Sequence, residues 1–316
     1  MKWLLIDGFN LAFRAYHALP ALTRADGFPV GAIQGWVRIL WKLREQEGAC
    51  SGIVFFDKDG SQRHLALHPS YKANRPKAPE EFKAQLPELK TLSPLMGFRV
   101  VERSGVEADD LIASAAKTLT SKGDEVRIAS ADKDFAQCAG GHVRLLTPPP
   151  PTFKGAPAAG PRHAKDSWRE LDAEGVREKF GVRSEQIIDY LSLVGDTVDN
   201  IPGMAGVGPK TAVAWLAEHG SIAGILAAQE RIEPARFRDA LRTPETAALL
   251  ALNQKLITFR DDFEGDWDTP PPEEDAVGFR AFLERMELRA LLAQFERKTE
   301  NRTAPHENAP EQLELF

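Results

Sequence analysis

Short apolar runs that alternate with helical patterns are the feature that most limits the folds open to the first half of this chain. Apolar residues recur at helical spacing over 32–46 and 108–122. Strands separated by helices of this length predict an α/β fold, a mostly parallel central sheet flanked by helices. The predicted strands are WLLI (3–6), GIVFF (52–56), FRVV (98–101), VRIAS (126–130) and VRLL (143–146).

The second half of the chain has a different pattern. A Pro-, Gly- and Ala-rich stretch at 148–165 predicts an irregular loop, and from about 174 the spacing is helical, with a final helix at 277–295. The polar, proline-punctuated end predicts disorder. We expect an α/β domain over 1–173 with a basic segment at about 60–90, a helical region over 174–296, and a disordered tail over 297–316.

The composition excludes several classes of protein. The 316 residues contain no apolar run of membrane-spanning length, and MKWLLIDGFN meets an acid and a glycine too early for a signal peptide. The two cysteines, Cys50 and Cys138, lack the spacing of a zinc site. We expect a monomeric protein that does not bind membranes and works in the reducing cytoplasm.

The charge distribution matters more than the net charge of −6, which alone argues weakly against a nucleic-acid partner. Residues 60–79 contain four Lys or Arg and no acid, whereas 261–275 is strongly acidic and predicts a solvated linker. The chain is therefore expected to be dipolar.

Acidic residues follow the predicted strands, and carboxyl ends of parallel strands share one edge of a sheet, where ligands bind. GVEADD (105–110) follows the third strand, and GDTVDN (195–200) places two acids three apart, on one face if that segment is helical. We expect nine acids to converge: Asp7, Asp57, Glu107, Asp109, Asp110, Asp132, Asp134, Asp196 and Asp199.

Such a cluster needs cations, because two carboxylates 4 Å apart repel by roughly 4 kcal/mol at an effective dielectric of about 20. Ligands that are all oxygen favour Mg²⁺ or Mn²⁺, and a pair of such ions is the usual device for phosphodiester hydrolysis. Taken singly, each acid is more often a helix cap or a surface charge.

Two other stretches predict phosphate binding. In IPGMAGVGPKTAVAWL (201–216), Gly206 and Gly208 can form a tight turn that places Lys210 at a helix start, an anion site for a DNA phosphate; a plain helix connection is the alternative. In SYKANR (70–75), Lys72 and Arg75, with Arg63 upstream, predict a mobile clamp over the acidic edge, and Tyr71 would stack on a base; a solvated loop is the alternative.

These motifs together resemble the structure-specific 5′ nuclease family, which includes flap endonucleases and the 5′-nuclease domain of bacterial DNA polymerase I. The resemblance covers about 2–296. The motifs LIDGFNLAFRAYHAL, VFFDKDGSQRH, SYKANR, GVEADD, ASADKDFAQ and GDTVDNIPGMAGVGPKTA occur in the family's order. The loop at 148–165 is longer than its usual counterpart, and no polymerase follows residue 296, so we expect a stand-alone nuclease.

The resemblance implies a PIN-like 5′ nuclease fold with a helical arch and a helix–three-turn–helix. It implies that the nine acids hold two Mg²⁺ or Mn²⁺ ions, with Asp7 and Asp57 at the reaction centre. Lys72 matches the arch lysine that helps the reaction, Tyr71 is its neighbour, and Arg75 matches a phosphate-binding arginine. Residues Gly206 to Thr211 match the helix–three-turn–helix, which grips duplex DNA and often holds a K⁺ ion.

The predicted activity is that of a Mg²⁺-dependent 5′→3′ exonuclease and flap endonuclease on branched or nicked DNA, including RNA-primed 5′ ends. The first ion would lie near Asp57, Glu107, Asp109, Asp132 and Asp134, and the second toward Asp196 and Asp199. The alternatives are a PIN-type ribonuclease and a non-catalytic flap-binding protein.

The last five residues, QLELF, place two leucines and a phenylalanine in a polar tail that has no structural use for them. They resemble the short peptide by which bacterial replication and repair enzymes bind the sliding clamp. The resemblance implies clamp contacts by Gln312, Leu313, Leu315 and Phe316. Chance apolar residues at a chain end are the alternative.

Overall fold

The computed structural model describes residues 1–19, 21–149 and 168–303. Most of the predicted loop at 148–165 and the whole QLELF segment lie outside these residues. The strands are β1 (Lys2–Asp7), β2 (Ser51–Asp57), β3 (Phe98–Arg103), β4 (Glu125–Ala129), β5 (Val143–Thr147), β6 (Arg169–Leu171), β7 (Gly195–Asp196) and β8 (Ile201–Pro202).

The helices alternate with the strands up to β6 and dominate afterwards. They are α1 (Gly8–Ala18), α2 (Gly31–Glu47), α3 (Gln62–Leu67), α4 (Glu80–Lys83), α5 (Leu86–Leu95), α6 (Ala108–Ser121), α7 (Ala173–Phe180), α8 (Ile187–Val194), α9 (Pro209–His219), α10 (Ile222–Ala227), α11 (Ala235–Leu241), α12 (Pro244–Ile257), α13 (Ala276–Arg285) and α14 (Arg289–Thr303). None of these described helices combines the length and apolar character needed to cross a bilayer.

The main sheet confirms the predicted α/β fold. Its strand order is β3-β2-β1-β4-β5-β6, with β1 to β5 parallel and β6 antiparallel. The chain first adds β2 and β3 on one side of β1 and then adds β4 and β5 on the other. The order therefore reverses between β1 and β4, and in open parallel sheets ligands bind at the carboxyl ends of the strands beside such a reversal.

The two faces of the sheet carry separate apolar clusters. One face packs against α6 and the helices from α8 to α12, and the other packs against α1, α2, α5, α13 and α14. The predicted single helix at 277–295 is wrong, since α13 and α14 are separate helices. The break lies at Glu287, which has a φ of +55°, and the apolar spacing shifts phase there from Met286 to Leu288, both buried.

The last two helices pack on the α/β domain, on the face of the sheet that α1, α2 and α5 cover. Phe279 and Phe282 join the cluster that contains Trp36 and Phe98, and the backbone N–H of Asp275 donates to the carbonyl of Leu95 at 3.0 Å. From the sequence, most of this segment was expected to belong to the helical region over 174–296. In addition, α14 continues to residue 303, into the segment that was expected to be disordered.

A two-stranded ribbon of β7 and β8 carries the GDTVDN segment. A Cβ on Gly195 would lie 2.3 Å from the backbone nitrogen of Gly203, and one on Gly203 would lie 2.3 Å from the carbonyl oxygen of Val194. Only two glycines allow this approach, which fixes both ends of the loop at 196–200.

Gln85 holds the sheet-covering helix α2 to the segment after α4. Its buried Oε1 accepts the backbone N–H groups of Ala32 and Ile33 at 2.8 and 3.2 Å, so it caps a helix whose own N-cap, Val30, makes no side-chain bond. These N–H groups have no water to turn to, because the site is buried.

We expect Gln85→Ala to lower the free energy of unfolding by about 2–6 kcal/mol, since two buried N–H groups lose their partner and each costs about 1–3 kcal/mol. Urea denaturation measures this loss. Gln62→Ala, at an exposed glutamine, is the control and should change stability by less than about 0.5 kcal/mol. Equal effects of the two substitutions would contradict the capping role.

Candidate metal centre and nucleic-acid interface

An acidic cavity of about 580 Å³ lies at the carboxyl edge of the sheet. Three cationic side chains, Lys72, Arg75 and Lys133, also line it, and Phe9 and Phe13 form part of its wall. The acids that line it come from strand ends, from the start of α6 and from the β7–β8 loop. They are Asp7, Asp57, Asp109, Asp132, Asp196 and Asp199.

Three of these acids also cap helices. Asp7 accepts the N–H of Asn10 at the start of α1, and Asp57 accepts the N–H of Ala108 at the start of α6 at 2.9 Å. Asp132 accepts the N–H of Asp134 at 2.9 Å, where a 3₁₀ turn covers Lys133–Cys138. Three helix N-termini, the positive ends of their dipoles, therefore point at the acidic edge.

A tight group of three carboxylates lies at the cavity: Asp196 and Asp199 line it, and Asp134 contacts this pair without being one of the lining residues. Asp134, Asp196 and Asp199 are buried, and one carboxylate oxygen of each lies within 4.8 Å of the other two. The Oδ1 atom of Asp134 is buried and has no hydrogen-bond partner among the described residues. A buried oxygen without a donor beside two other carboxylates is the arrangement that a hard cation would complete.

The pKa values of the cavity acids show how costly their charges are. Burial raises the pKa of Asp7 from 3.8 to about 7, although the Ser130 hydroxyl donates to its Oδ2 at 2.7 Å. Burial and the charge of Asp7 raise the pKa of Asp109 well above its usual range, and burial and the charge of Asp132 do the same for Asp134. Without added cations, the folded protein holds some of these groups protonated near neutral pH.

Glu107 differs from Asp7, Asp109 and Asp134 because neighbouring side chains lower its pKa, whereas burial leaves theirs raised. It occupies the N-cap position of α6, but its Oε1 accepts from Lys72 Nζ at 2.6 Å and its Oε2 lies 3.1 Å from Nδ1 of His64. Burial would raise its pKa, yet His64 and Lys72 lower it to about 2. The cap bond that Glu107 could make at α6 comes from Asp57 instead.

The SYKANR segment is docked on the β7–β8 loop. The backbone N–H of Lys72 donates to the carbonyl of Asp199 at 3.0 Å, and Arg75 pairs with the Asp199 carboxylate. Asn200, with a φ of +59°, donates from Nδ2 to the carbonyl of Ser70 at 2.7 Å. These contacts tie the predicted clamp to Asp199, one of the predicted metal-binding acids, and to its neighbour Asn200.

Several sequence-predicted residues are placed differently from what was expected. Asp110 lies outside the set of described residues that line the cavity, and its Oδ1 accepts the N–H of Arg260 at 2.8 Å. Neighbouring helical residues point about 100° apart, and here Asp109 lines the cavity while Asp110 points toward Arg260. Asp196 and Asp199 do not share a helical face, because they lie in and after β7.

Two residues of the predicted clamp make contacts within the protein that hold their side chains in place. Tyr71 is buried and stacks on His64 with ring centroids 4.6 Å apart, while its hydroxyl donates to Asp199 at 3.1 Å; in this structure its ring is not free to stack on a base. Arg63 donates to the carbonyl of Lys255 at 2.7 Å, so it satisfies the end of α12 rather than facing the acidic edge.

The predicted phosphate site at the glycine turn has the expected geometry. Gly206 has a φ of +77°, which favours glycine, and Gly208 is the N-cap of α9 with open space around it. Pro209 is the first helical residue, Lys210 beside it is exposed, and Thr211 follows in the first turn. The first N–H groups of α9 are thus presented beside an exposed cation.

Three residues of the site were not predicted from the sequence. His64 contacts Glu107, Ser130 holds Asp7, and Lys133 Nζ lies 3.1 Å from Oδ2 of Asp196. Lys133 stands between two predicted acids in ADKD, and that position was the only signal for it. His64 and Ser130 act through partners distant in sequence, which local spacing does not indicate.

Comparison with known proteins shows which family the chain is related to. The 5′-3′ exonuclease N-terminal resolvase-like domain matches residues 2–181, and the 5′-3′ exonuclease C-terminal SAM fold matches 182–273. The chain belongs to the 5′-3′ exonuclease family. Members of this family are nucleases that act on phosphodiester bonds, so the family predicted from the motifs is confirmed.

Relatives and solved structures agree with this assignment. A 5′-3′ exonuclease of Aquifex aeolicus is 34% identical over 301 residues, covering 94% of this chain and 96% of the relative. The thermostable DNA polymerase I of Thermus thermophilus is 37% identical over 294 residues, covering 92% of this chain but 33% of the polymerase. The chain therefore spans about a third of the length of the polymerases that it matches.

The fold is shared with more distant nucleases. A structure of T5 5′-exonuclease with divalent zinc ions bound has a TM-score of 0.66 at 23% identity, covering 82% of this chain and 90% of the other. The catalytic core of Rad2 in complex with DNA substrate has a TM-score of 0.58 at 15% identity, covering 90% and 86%. At these identities the likeness concerns the fold.

We expect the protein in chelator to lose stability as the pH rises. The folded-state pKa of Asp7, about 7, lies above its ordinary value of 3.8, so the stability from its bound proton is complete below about pH 4 and is lost as the pH rises through about 7. Urea denaturation in chelator at several pH values measures this.

At pH 8 in chelator, Asp134→Asn should be more stable than the wild type by about 1 kcal/mol, because it removes one of the repelling charges. Asp268→Asn, at an exposed acid paired with Lys122, is the control and should change stability by less than about 0.5 kcal/mol. A less stable Asp134→Asn protein would contradict the account of repulsion.

Proposed function

We propose that the protein is a Mg²⁺-dependent 5′→3′ exonuclease and flap endonuclease that acts on 5′ flaps, nicks and RNA-primed ends in DNA. One observation carries the proposal: acids from three strand ends, from α6 and from the β7–β8 loop face one cavity that also contains Lys72 and Arg75. A phosphodiester needs both kinds of group, since acids hold the cations that activate water and basic side chains hold the phosphate.

The residues of the cavity fit two hard divalent cations, Mg²⁺ or Mn²⁺. The donors are carboxylate oxygens, and the unpartnered oxygen of Asp134 and the raised pKa values of Asp7 and Asp109 indicate that positive charge is needed there. Asp57, Asp109 and Asp132 would hold one ion, Asp134, Asp196 and Asp199 the other, and Asp7 lies beside them. When bound, such ions lower the pKa of water and offset charge on the phosphate.

Glu107 and Lys72 form a pair that this function would use in two ways. Lys72 Nζ neutralises Glu107 at 2.6 Å, and its flexible stem lets it turn to a phosphate oxygen. Arg75 can bind a second phosphate oxygen with its planar fork. Tyr71 and Arg63 then act as structural supports of this segment, and Asp110 supports the position of α6.

The start of α9 would hold the duplex away from the chemistry. Gly206, Gly208, Lys210 and Thr211 offer backbone N–H groups, a cation and a hydroxyl to a phosphate without reading sequence. Following the family resemblance, we also place a K⁺ ion at this turn. We propose that the protein acts as a monomer in the cytoplasm.

Asp134→Asn tests the proposal, because it removes a ligand charge with little change in shape. Cleavage of a 5′-flap duplex in Mg²⁺ should fall by at least about a hundredfold while DNA binding is retained. Asp268→Asn is the matched control and should cleave like the wild type.

Nicked duplex and single-stranded RNA, each with Mg²⁺ or chelator, complete the assay. Preferential cleavage of single-stranded RNA would favour a PIN-type ribonuclease, and binding without cleavage by the wild type would favour a non-catalytic flap-binding protein. Activity of Asp134→Asn within about tenfold of the wild type would place Asp134 outside the metal-binding set.

We also propose that QLELF binds the bacterial sliding clamp, which rests on its resemblance to clamp-binding peptides. Burial of Leu313, Leu315 and Phe316 at about 1.5–3 kcal/mol each, less the cost of ordering the tail, is compatible with micromolar affinity. Gln312 would hydrogen-bond at the edge of the pocket. The tether would raise the local concentration of the nuclease on DNA.

Deletion of 312–316 should leave cleavage of a short flap unchanged and remove its stimulation by the clamp. A second variant keeps the chain length and replaces Leu313, Leu315 and Phe316 with alanine. It should behave like the deletion. A QLELF peptide that fails to bind the clamp at high micromolar concentration would end this proposal.

A further inference from the structure

The cations of the cavity come from two sources. Lys72 and Arg75 belong to the segment that the proposed function assigns to phosphate binding. Lys133 belongs instead to the turn that carries Asp132 and Asp134, and its Nζ lies 3.1 Å from Oδ2 of Asp196. Its side chain is 38% exposed, whereas that of Asp196 is 7% exposed. The proposed function assigns no role to Lys133.

The position of this ammonium group matters because Asp196 has few free oxygens. Oδ1 of Asp196 accepts the N–H of Val198 at 2.8 Å, so Oδ2, which Lys133 contacts, is the oxygen left for another partner. Asp196 also belongs to the buried group with Asp134 and Asp199, in which Oδ1 of Asp134 lacks a partner. A divalent ion that these three acids bound through Oδ2 of Asp196 would compete with Lys133 for that oxygen.

Lys133 can give up that contact without any change of the fold. Its backbone begins the 3₁₀ turn Lys133–Cys138, which Asp132 caps, so the turn stays fixed while the four-carbon stem rotates. The ammonium group is strongly hydrated and the side chain is partly exposed, so water can receive it. A fully buried lysine could not move its ammonium group into water in this way.

We propose that Lys133 is a tethered competitor of the divalent ion bound by Asp134, Asp196 and Asp199. It neutralises these acids when no divalent ion is bound and must leave Asp196 when one binds. It thereby sets the free-ion concentration at which this site fills. The inference rests on the proposed function, because it concerns the same acids.

Direct Mn²⁺ binding to the full chain without DNA, followed by electron paramagnetic resonance, tests this inference separately from catalysis. Lys133→Met keeps most of the length of the side chain and removes its charge, so the Mn²⁺ site that Asp196→Asn removes should fill at a concentration about three- to tenfold lower. Lys133→Arg keeps the charge and should stay close to the wild type. Lys122→Met makes the same charge change beside the exposed Asp268, and should have no such effect.

The variants separate the possible failures. If Asp134→Asn and Asp196→Asn bind Mn²⁺ like the wild type, the proposed metal centre itself fails. If these two variants lose one Mn²⁺ site while Lys133→Met binds Mn²⁺ as the wild type does, or more weakly, only the competitor role is wrong. An equal shift in Lys122→Met would mean that net charge, and not the contact with Asp196, causes the effect.

Discussion

Repulsion among carboxylates at the carboxyl edge of the sheet is the constraint on which the rest of this structure depends. Six acids line one cavity, and burial makes each charge costly. The protein offsets the repulsion in three ways. Helix N-termini face Asp7, Asp57 and Asp132. Side-chain cations contact Glu107, Asp196 and Asp199. Raised pKa values keep protons on other acids of the cluster. Each of these devices supplies positive charge that a divalent ion could also supply.

Capping and ion binding are two uses of the same acids rather than competing interpretations of them. One oxygen of Asp57 accepts the N–H of Ala108, and its second oxygen remains available at the cavity. The cap fixes the carboxylate, so the strand, the following helix and the direction of the free oxygen are set together. A carboxylate held in this way loses less conformational entropy when it binds a cation.

The sequence predicted the elements that local pattern determines, and the edge at which the acids meet. The run of Ile53 to Phe55 and the spacing of α6 are visible in the chain, and parallel strands bring Asp7 and Asp57 to one edge whatever their neighbours do. The direction of each side chain was less predictable. Tyr71 turns inward to donate to Asp199, 128 positions away, and Arg63 turns to Lys255, 192 positions away. Partners so distant leave no local spacing.

The protein cations connect substrate binding to ion binding. Lys72 contacts Glu107, and Arg75 contacts Asp199. Under the proposed function, a cation that turns to a phosphate leaves a carboxylate uncompensated and raises that carboxylate's affinity for a divalent ion. By linkage, an ion bound to the carboxylate frees the cation for the phosphate to the same extent. Lys133 differs from this pair because its contact is with Asp196, from the turn that also carries Asp134. It competes directly with the ion for Asp196. The acids are therefore neutralised before substrate arrives, and divalent ions can still displace Lys133 from them.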